Sequence, residues 1–293
     1  MPEGLSVGTS VRVGRAITDA EFDSIYPEWV RRASEMHWTP YAVARRAAAL
    51  LVLDSTTRVL DVGSGAGKFC LIGSLATDGL FFGVEQRAGL VEVAEQAAHR
   101  CGATRVHFIH GNITSIDWGN FDAFYFYNPF YEHVAEMTPS FEERIDCSPA
   151  LFARYVTLVS EKLFSARVGT RVVTYQGYGA AMPAGYRRLA RESFDGCDLE
   201  LWRKEPLAAV LESPSTNRSN EYLPAEQRAS ASGIRRRSRD ARARMWNLVL
   251  GPMLVFALGA LIGQCRAGGE QGPQEQTRIA ATRNRRSLTS HLR

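Results

Sequence analysis

Apolar residues in this chain gather into short runs parted by polar and glycine-bearing stretches, and the runs follow two different periods. Val59, Leu60 and Val62 form a largely β-branched run between Arg58 and Gly63, which predicts a buried strand over 58–62. Comparable runs predict strands over 80–84, 105–109, 121–127 and 170–176. Between them the spacing turns helical, over about 67–77, over 88–101 where Gly102 closes the helix, and after Ser148-Pro149. The helix opened there carries Leu151, Phe152, Tyr155, Val156, Val159 and Leu163 on one face. Ahead of the first strand, Thr39 is placed to cap a helix with Pro40 at its first position, running through alanines to Leu51. Asp195-Gly196, between runs at 186–194 and 199–203, predicts a hairpin. Strands alternating with helices predict an α/β fold with a mostly parallel sheet and a ligand at the carboxyl ends of its strands.

The first strand stops on Gly63-Ser64-Gly65-Ala66-Gly67, and the second apolar run ends in one carboxylate, Glu85. A strand, a glycine turn, a helix and a strand ending in an acid bring that acid beside the turn, within reach of a ribose diol. The pattern predicts a nucleoside cofactor. A phosphate-cradling loop needs Ser or Thr after its lysine, but Phe69 follows Lys68, and the glycine spacing is one residue short. The spacing also departs from the dinucleotide fingerprint, which argues against a nicotinamide oxidoreductase.

Leu60-Asp61-Val62-Gly63-Ser64-Gly65-Ala66-Gly67, followed by Gly83-Val84-Glu85, closely resembles the cofactor motifs of the class I S-adenosylmethionine-dependent methyltransferases, over about residues 38–204. The resemblance implies a Rossmann-like, mostly parallel seven-stranded sheet with a terminal antiparallel hairpin, and S-adenosylmethionine as cofactor. It implies that Asp61, Gly63, Gly65 and Gly67 face the methionine portion and that Glu85 accepts from the ribose hydroxyls. Asn112 stands where the family puts a polar side chain on the adenine; a loop-capping Asn is the other reading.

Tyr127-Asn128-Pro129-Phe130-Tyr131 ends the fourth strand and looks like a variant, short of one proline, of the Asn-Pro-Pro-aromatic motif of amino-methyltransferases. That resemblance implies that Asn128 and Pro129 grip an amine while Tyr131, or Phe130 if the motif is shortened, stacks on the substrate. A strand-ending turn of core aromatics is the alternative. His37-Trp38-Thr39-Pro40 resembles the Phe-Thr-Pro segment that packs on the cofactor in adenine amino-methyltransferases, although a helix cap accounts for Thr39 and Pro40 equally well. The loop wording is also similar to that of the non-SET histone-lysine methyltransferases, which keeps protein lysine among the acceptors. Glu132 and His133 are candidate proton acceptors or exposed residues at a helix start. The acceptor is therefore expected to be an amine nitrogen of a protein side chain or a nucleobase. A small-molecule methyltransferase and a non-catalytic cofactor-binding protein tethered by its tail are the alternatives.

Charge divides the chain. The net charge of +4 conceals fourteen arginines, no lysines and seven acids from Glu205 onward, which leaves residues 1–204 at −3. The body thus offers no strong electrostatic footprint for nucleic acid. Five scattered cysteines, odd in number and without metal-ligand spacing, suggest reduced thiols, no metal site and a cytoplasmic setting. Residues 1–15 lack the apolar core of a secretory signal. The expected organisation is a helical or irregular segment over 1–37, the cofactor domain over 38–204, a disordered basic linker over 205–244 and a disordered tail over 266–293. Between the last two, the 21 residues Met245 to Cys265 carry no charge. They are long enough to span a bilayer with the enzyme on the cytoplasmic side, or form an extension without function.

Overall fold

The computed structural model describes residues 5–135 and 145–206. Five strands run parallel: β1 (Arg58–Val62), β2 (Leu80–Glu85), β3 (Val106–His110), β4 (Ala123–Tyr127) and β5 (Arg171–Tyr175). The hairpin of β6 (Tyr186–Phe194) and β7 (Cys197–Lys204) adds β7 antiparallel to β5, and the order across the sheet is β3-β2-β1-β4-β5-β7-β6. This is the expected seven-stranded Rossmann-like sheet. The chain winds outward from β1 to β3 and then returns to β4 on the other side of β1, so a crevice opens at the carboxyl ends of β1 and β4.

Apolar runs rather than alternation mark these strands because both faces of the sheet are covered. Val59, Phe81, Tyr125 and Val173 face one core layer, into which α4 (Tyr41–Leu51), α5 (Lys68–Ala76) and α6 (Ala88–Cys101) pack. Leu60, Val84, Phe124, Phe126 and Val172 face the other, where α7 (Pro149–Phe164) buries Tyr155, Val159 and Leu163. Full burial of such side chains stabilises by about 1.5–3 kcal/mol each. The helix signals act where they stand: the Ser148 side chain accepts from Leu151 N, Gly102 closes α6 at φ 66°, and Asp195 (φ 49°) with Gly196 (φ 84°) makes the hairpin turn.

One expectation gains detail and one changes. The segment over 1–37 holds three helices, α1 (Val7–Arg12), α2 (Asp19–Asp23) and α3 (Glu28–His37), of which α2 has a full Thr18/Glu21 capping box. Thr39 does not cap α4: Pro40 occupies the cap position, the Tyr41 N–H is taken by Asp19 Oδ1 at 2.8 Å, and buried Thr39 shares a 3.0 Å hydrogen bond with Tyr125 Oη. A partner on β4 wins the hydroxyl because it satisfies a buried phenol that would otherwise lack one. Lys68 then joins these helices to the sheet. Its ammonium, on a residue 2% exposed, lies 2.6 Å from Asp19 Oδ1, 2.8 Å from Asp23 Oδ1 and 3.3 Å from Ser34 Oγ.

No helix among the described residues is long and apolar enough to cross a membrane, and no cluster among them could hold a metal ion. The expected linker past residue 206, the 245–265 segment and the tail lie outside the described residues.

Candidate functional site

The turn after β1 needs glycine for two separate reasons. Gly63, Gly65 and Gly67 have φ of 73°, 54° and 78°, in the left-handed region that side chains disfavour. A Cβ at Gly65 would also fall 2.2 Å from Trp38 Cζ3, and one at Gly63 would fall 3.2 Å from Pro129 Cβ. The loop is therefore flanked by the segment preceding α4 on one side and by the Asn-Pro-Phe turn on the other. Backbone bonds clip it to the end of β2: Gly63 N and Ser64 N both donate to Val84 O at 3.0 Å. Beneath it, Asp61 is buried with the Cys70 thiol 3.6 Å from Oδ2. Burial pushes the Asp61 carboxyl up to about 7, the thiol bond opposing and the Glu85 charge adding to the rise.

Glu85 reaches back to the loop, taking Gly65 N on Oε2 at 3.1 Å and Arg87 N on Oε1 at 3.0 Å. Burial raises its carboxyl above the ordinary range, against the lowering effect of those bonds and of the Arg87 charge. Each oxygen keeps one unused lone pair, the number a vicinal diol requires. Of its two expected readings, Asn112 shows the loop cap. Its Oδ1 caps the turn over 113–115 by accepting from Thr114 N, and its Nδ2 donates to Gln86 Oε1 at 2.8 Å and Tyr155 Oη at 2.6 Å. One lone pair on Oδ1 is left for an amino edge.

Asn128 stands at the end of β4 with φ 42°, its N–H donating to Gly177 O at 3.0 Å, and no hydrogen bond of its side chain falls among the described residues. Pro129 turns the chain over Gly63. Phe130 is 5% exposed and stacks on Tyr155 at 5.2 Å, which makes it a core ring, whereas Tyr131 is half-buried. The exposed helix start expected at 132–133 is corrected. Glu132 pairs with Arg87, and His133 is buried, its Nδ1 without a hydrogen-bond partner among the described residues. Burial holds the His133 imidazole below its usual value.

Two residues at this crevice escape a reading of the sequence. Arg87 ties Glu85 to Glu132, and nothing in the pattern separates it from an ordinary helix-start residue. Gln176 ends β5 at φ 62°, beside Asn128 across the β4/β5 pairing, with its Nε2 3.0 Å from Cys197 Sγ. Left-handed backbone outside glycine is uncommon. Only the single polar residue before Gly177 hints at it.

A glycine loop packed closely on Trp38, Phe108 and Pro129, a buried acid with lone pairs for a ribose and a second acid below the loop together suit a nucleoside that carries positive charge. Residues 53–144 match the protein family described as a methyltransferase domain. No curated protein matches the chain. Among solved structures it is similar to an RNA methyltransferase from Salinibacter ruber in complex with S-adenosyl-L-homocysteine, at 21% identity over 57% of this chain and 93% of that one, with a TM-score of 0.42. It is similar to TrmN from Thermus thermophilus at 16% identity over 60% of this chain and 52% of that one, TM-score 0.45. A putative O-methyltransferase from Klebsiella pneumoniae is similar at 14% identity over 70% and 93% of the respective chains, TM-score 0.43. The family match falls on the segment that carries the glycine loop, its following acid and the first four strands of the sheet, and over that segment the chain is similar to a methyltransferase domain.

Proposed function

We propose that the methyl group goes to an amine nitrogen, of a protein side chain or a nucleobase, held at Asn128. The observation that carries this reading is the Asn128 carboxamide: it is set in left-handed backbone immediately before Pro129, which packs on Gly63, with no hydrogen bond of its side chain among the described residues. A half-buried polar side chain at the end of a strand, spending no hydrogen bond on a described neighbour, suits a substrate contact. Bound S-adenosylmethionine supplies an activated methyl on a sulfonium, so the chain's own task is placement.

In this reading Asp61, Gly63, Gly65, Gly67, Glu85 and Asn112 hold the cofactor, as the loop geometry and the unused lone pairs of Glu85 and Asn112 support. Asn128 Oδ1 accepts from an acceptor N–H and turns the nitrogen lone pair toward the methyl. Pro129 fixes the turn, Tyr131 flanks a planar acceptor, and buried Trp38 and Phe130 keep water from the reacting atoms. The methyl would pass to nitrogen with the electrons of the broken carbon–sulfur bond staying on sulfur, leaving S-adenosylhomocysteine, and the nitrogen would lose a proton to solvent or to a neutral base. Free thiols at Cys70, Cys101, Cys147 and Cys197 support a reducing, cytoplasmic setting.

Transfer of radiolabelled methyl from S-adenosylmethionine into protein, nucleic acid, lipid and small-molecule fractions tests the reading and separates its acceptors. Label is expected in protein or nucleic acid on nitrogen, recovered as methylamine on hydrolysis of protein or as an N-methylated base. Asn128→Ala is expected to lose at least about 100-fold in kcat with cofactor Kd unchanged within about threefold. Label found only on oxygen, or full turnover by Asn128→Ala, would remove the proposal.

A further inference from the structure

Arg87 lies between the two halves of the site. Two residues past Glu85, it is the N-cap of α6, and its N–H donates to Glu85 Oε1 at 3.0 Å. Its guanidinium also approaches that oxygen, Nη1 at 3.7 Å, while Nη2 lies 2.5 Å and Nη1 3.4 Å from the two oxygens of Glu132. The side chains of Arg87, Glu85 and Glu132 are 5%, 8% and 33% exposed, so the bridge runs inward from the rim of the crevice. A line of charge-assisted contacts thereby joins Gly65, Glu85, Arg87 and Glu132: the glycine loop at one end, the acceptor turn at the other.

Among the described residues, the contacts of Arg87 with Glu85 and Glu132 are unequal. At 3.7 Å the guanidinium attracts Glu85 without a hydrogen bond, whereas toward Glu132 it makes one short bond at 2.5 Å and one long one at 3.4 Å. A diol on the unused lone pairs of Glu85 competes with the contact to Glu85 and leaves the short bond to Glu132 intact. A ligand there also displaces water, which lowers the local dielectric and strengthens the Arg87–Glu132 pair. Glu132 belongs to the short helical turn Tyr131–His133, where the Tyr131, His133 and Val134 N–H groups donate to the carbonyls of Asn128, Phe130 and Tyr131.

We infer that Arg87 is a positioning residue that couples the two half-sites: cofactor on Glu85 draws Arg87 fully onto Glu132 and stiffens the turn that receives the acceptor. The inference rests on the reading of Glu85 as the ribose acid, and the measurement separates the two.

Hydrogen exchange of the full-length protein, followed by mass spectrometry with S-adenosylhomocysteine as the probe, needs no knowledge of the acceptor. In the wild type, saturating probe is expected to slow exchange across residues 128–135 at least about fivefold. In Arg87→Met the probe still binds by calorimetry but the slowing over 128–135 is lost, and Arg87→Lys restores part of it. Glu132→Gln severs the same pair from its more exposed side and should match Arg87→Met, even if that variant folds poorly. The difference between bound and free exchange is what a merely structural role leaves unmoved. Slowing of equal size in Arg87→Met or Glu132→Gln overturns the coupling, as does binding to the wild type without slowing. Unchanged affinity in Glu85→Ala, or no binding to the wild type, overturns the cofactor reading beneath it.

Discussion

Asp61 shows how much the surroundings of one residue add to its identity. Its place before the glycines marks it in the sequence, but its titration depends on burial beside Cys70 and Glu85, which carries the carboxyl from an ordinary 3.8 to about 7. Between those values the folded chain holds a proton that the unfolded chain has released, so this group's contribution to stability falls as pH rises from about 4 to about 7 and is level above. A cationic cofactor works in the opposite direction by favouring the ionised acid. Affinity for S-adenosylmethionine should therefore rise between pH 6 and pH 8, by up to about tenfold, and flatten in Asp61→Asn. Calorimetric titration across that range checks this, and equal slopes in the two proteins would sink it. The same scale explains the choice between Phe130 and Tyr131. Both are aromatics after a proline, and only the presence of Tyr155 5.2 Å from Phe130 makes one a core ring. At Gln176, left-handed backbone stores about 1–2 kcal/mol, which no residue pattern reveals.

Elements were legible where a local signal acts locally. Ser148, Gly102 and Asp195-Gly196 end or turn the chain by bonds to their own neighbours, so their effect survives any tertiary setting. Thr39 failed as a cap because its hydroxyl is spent on Tyr125, 86 residues away in the chain. The three N-terminal helices were blurred for a related reason: α1 and α2 have six and five residues, too short to form without tertiary support. Part of that support is Lys68, which the sequence marks only as a misfit to a phosphate loop. Lys68→Met strands the nearly buried Asp23 carboxylate beside half-exposed Asp19 and should cost about 3–5 kcal/mol. Lys68→Met with Asp23→Asn should recover part of that loss. Urea melts of the single and double variants measure it, and a single variant within about 0.5 kcal/mol of wild type would contradict the role given to the pair.

At the scale of the molecule, the sheet order brings together residues that the chain keeps far apart. Asp61, Glu85, Asn112, Asn128 and Gln176 end or follow five successive parallel strands, and the reversal between β1 and β4 gathers them at one crevice. Because every residue assigned to the cofactor falls within residues 5–206, a chain ending at Pro206 should bind S-adenosylhomocysteine within about twofold of the full-length protein and keep its Tm within about 2 °C. Weaker binding beyond that margin, by calorimetry on both chains, would show that the arginine-rich remainder belongs to the site. The sequence by itself determined the α/β class, the cofactor and most element boundaries, since periodicity, caps and the spacing of glycines to an acid are written in neighbouring residues. Tertiary structure alone decided that Arg87 bridges Glu85 to Glu132, that Phe130 and His133 are buried and that Thr39 serves Tyr125. Each of these depends on a partner brought close by the winding of the sheet, and electrostatic and packing energies act on distance in space rather than separation along the chain.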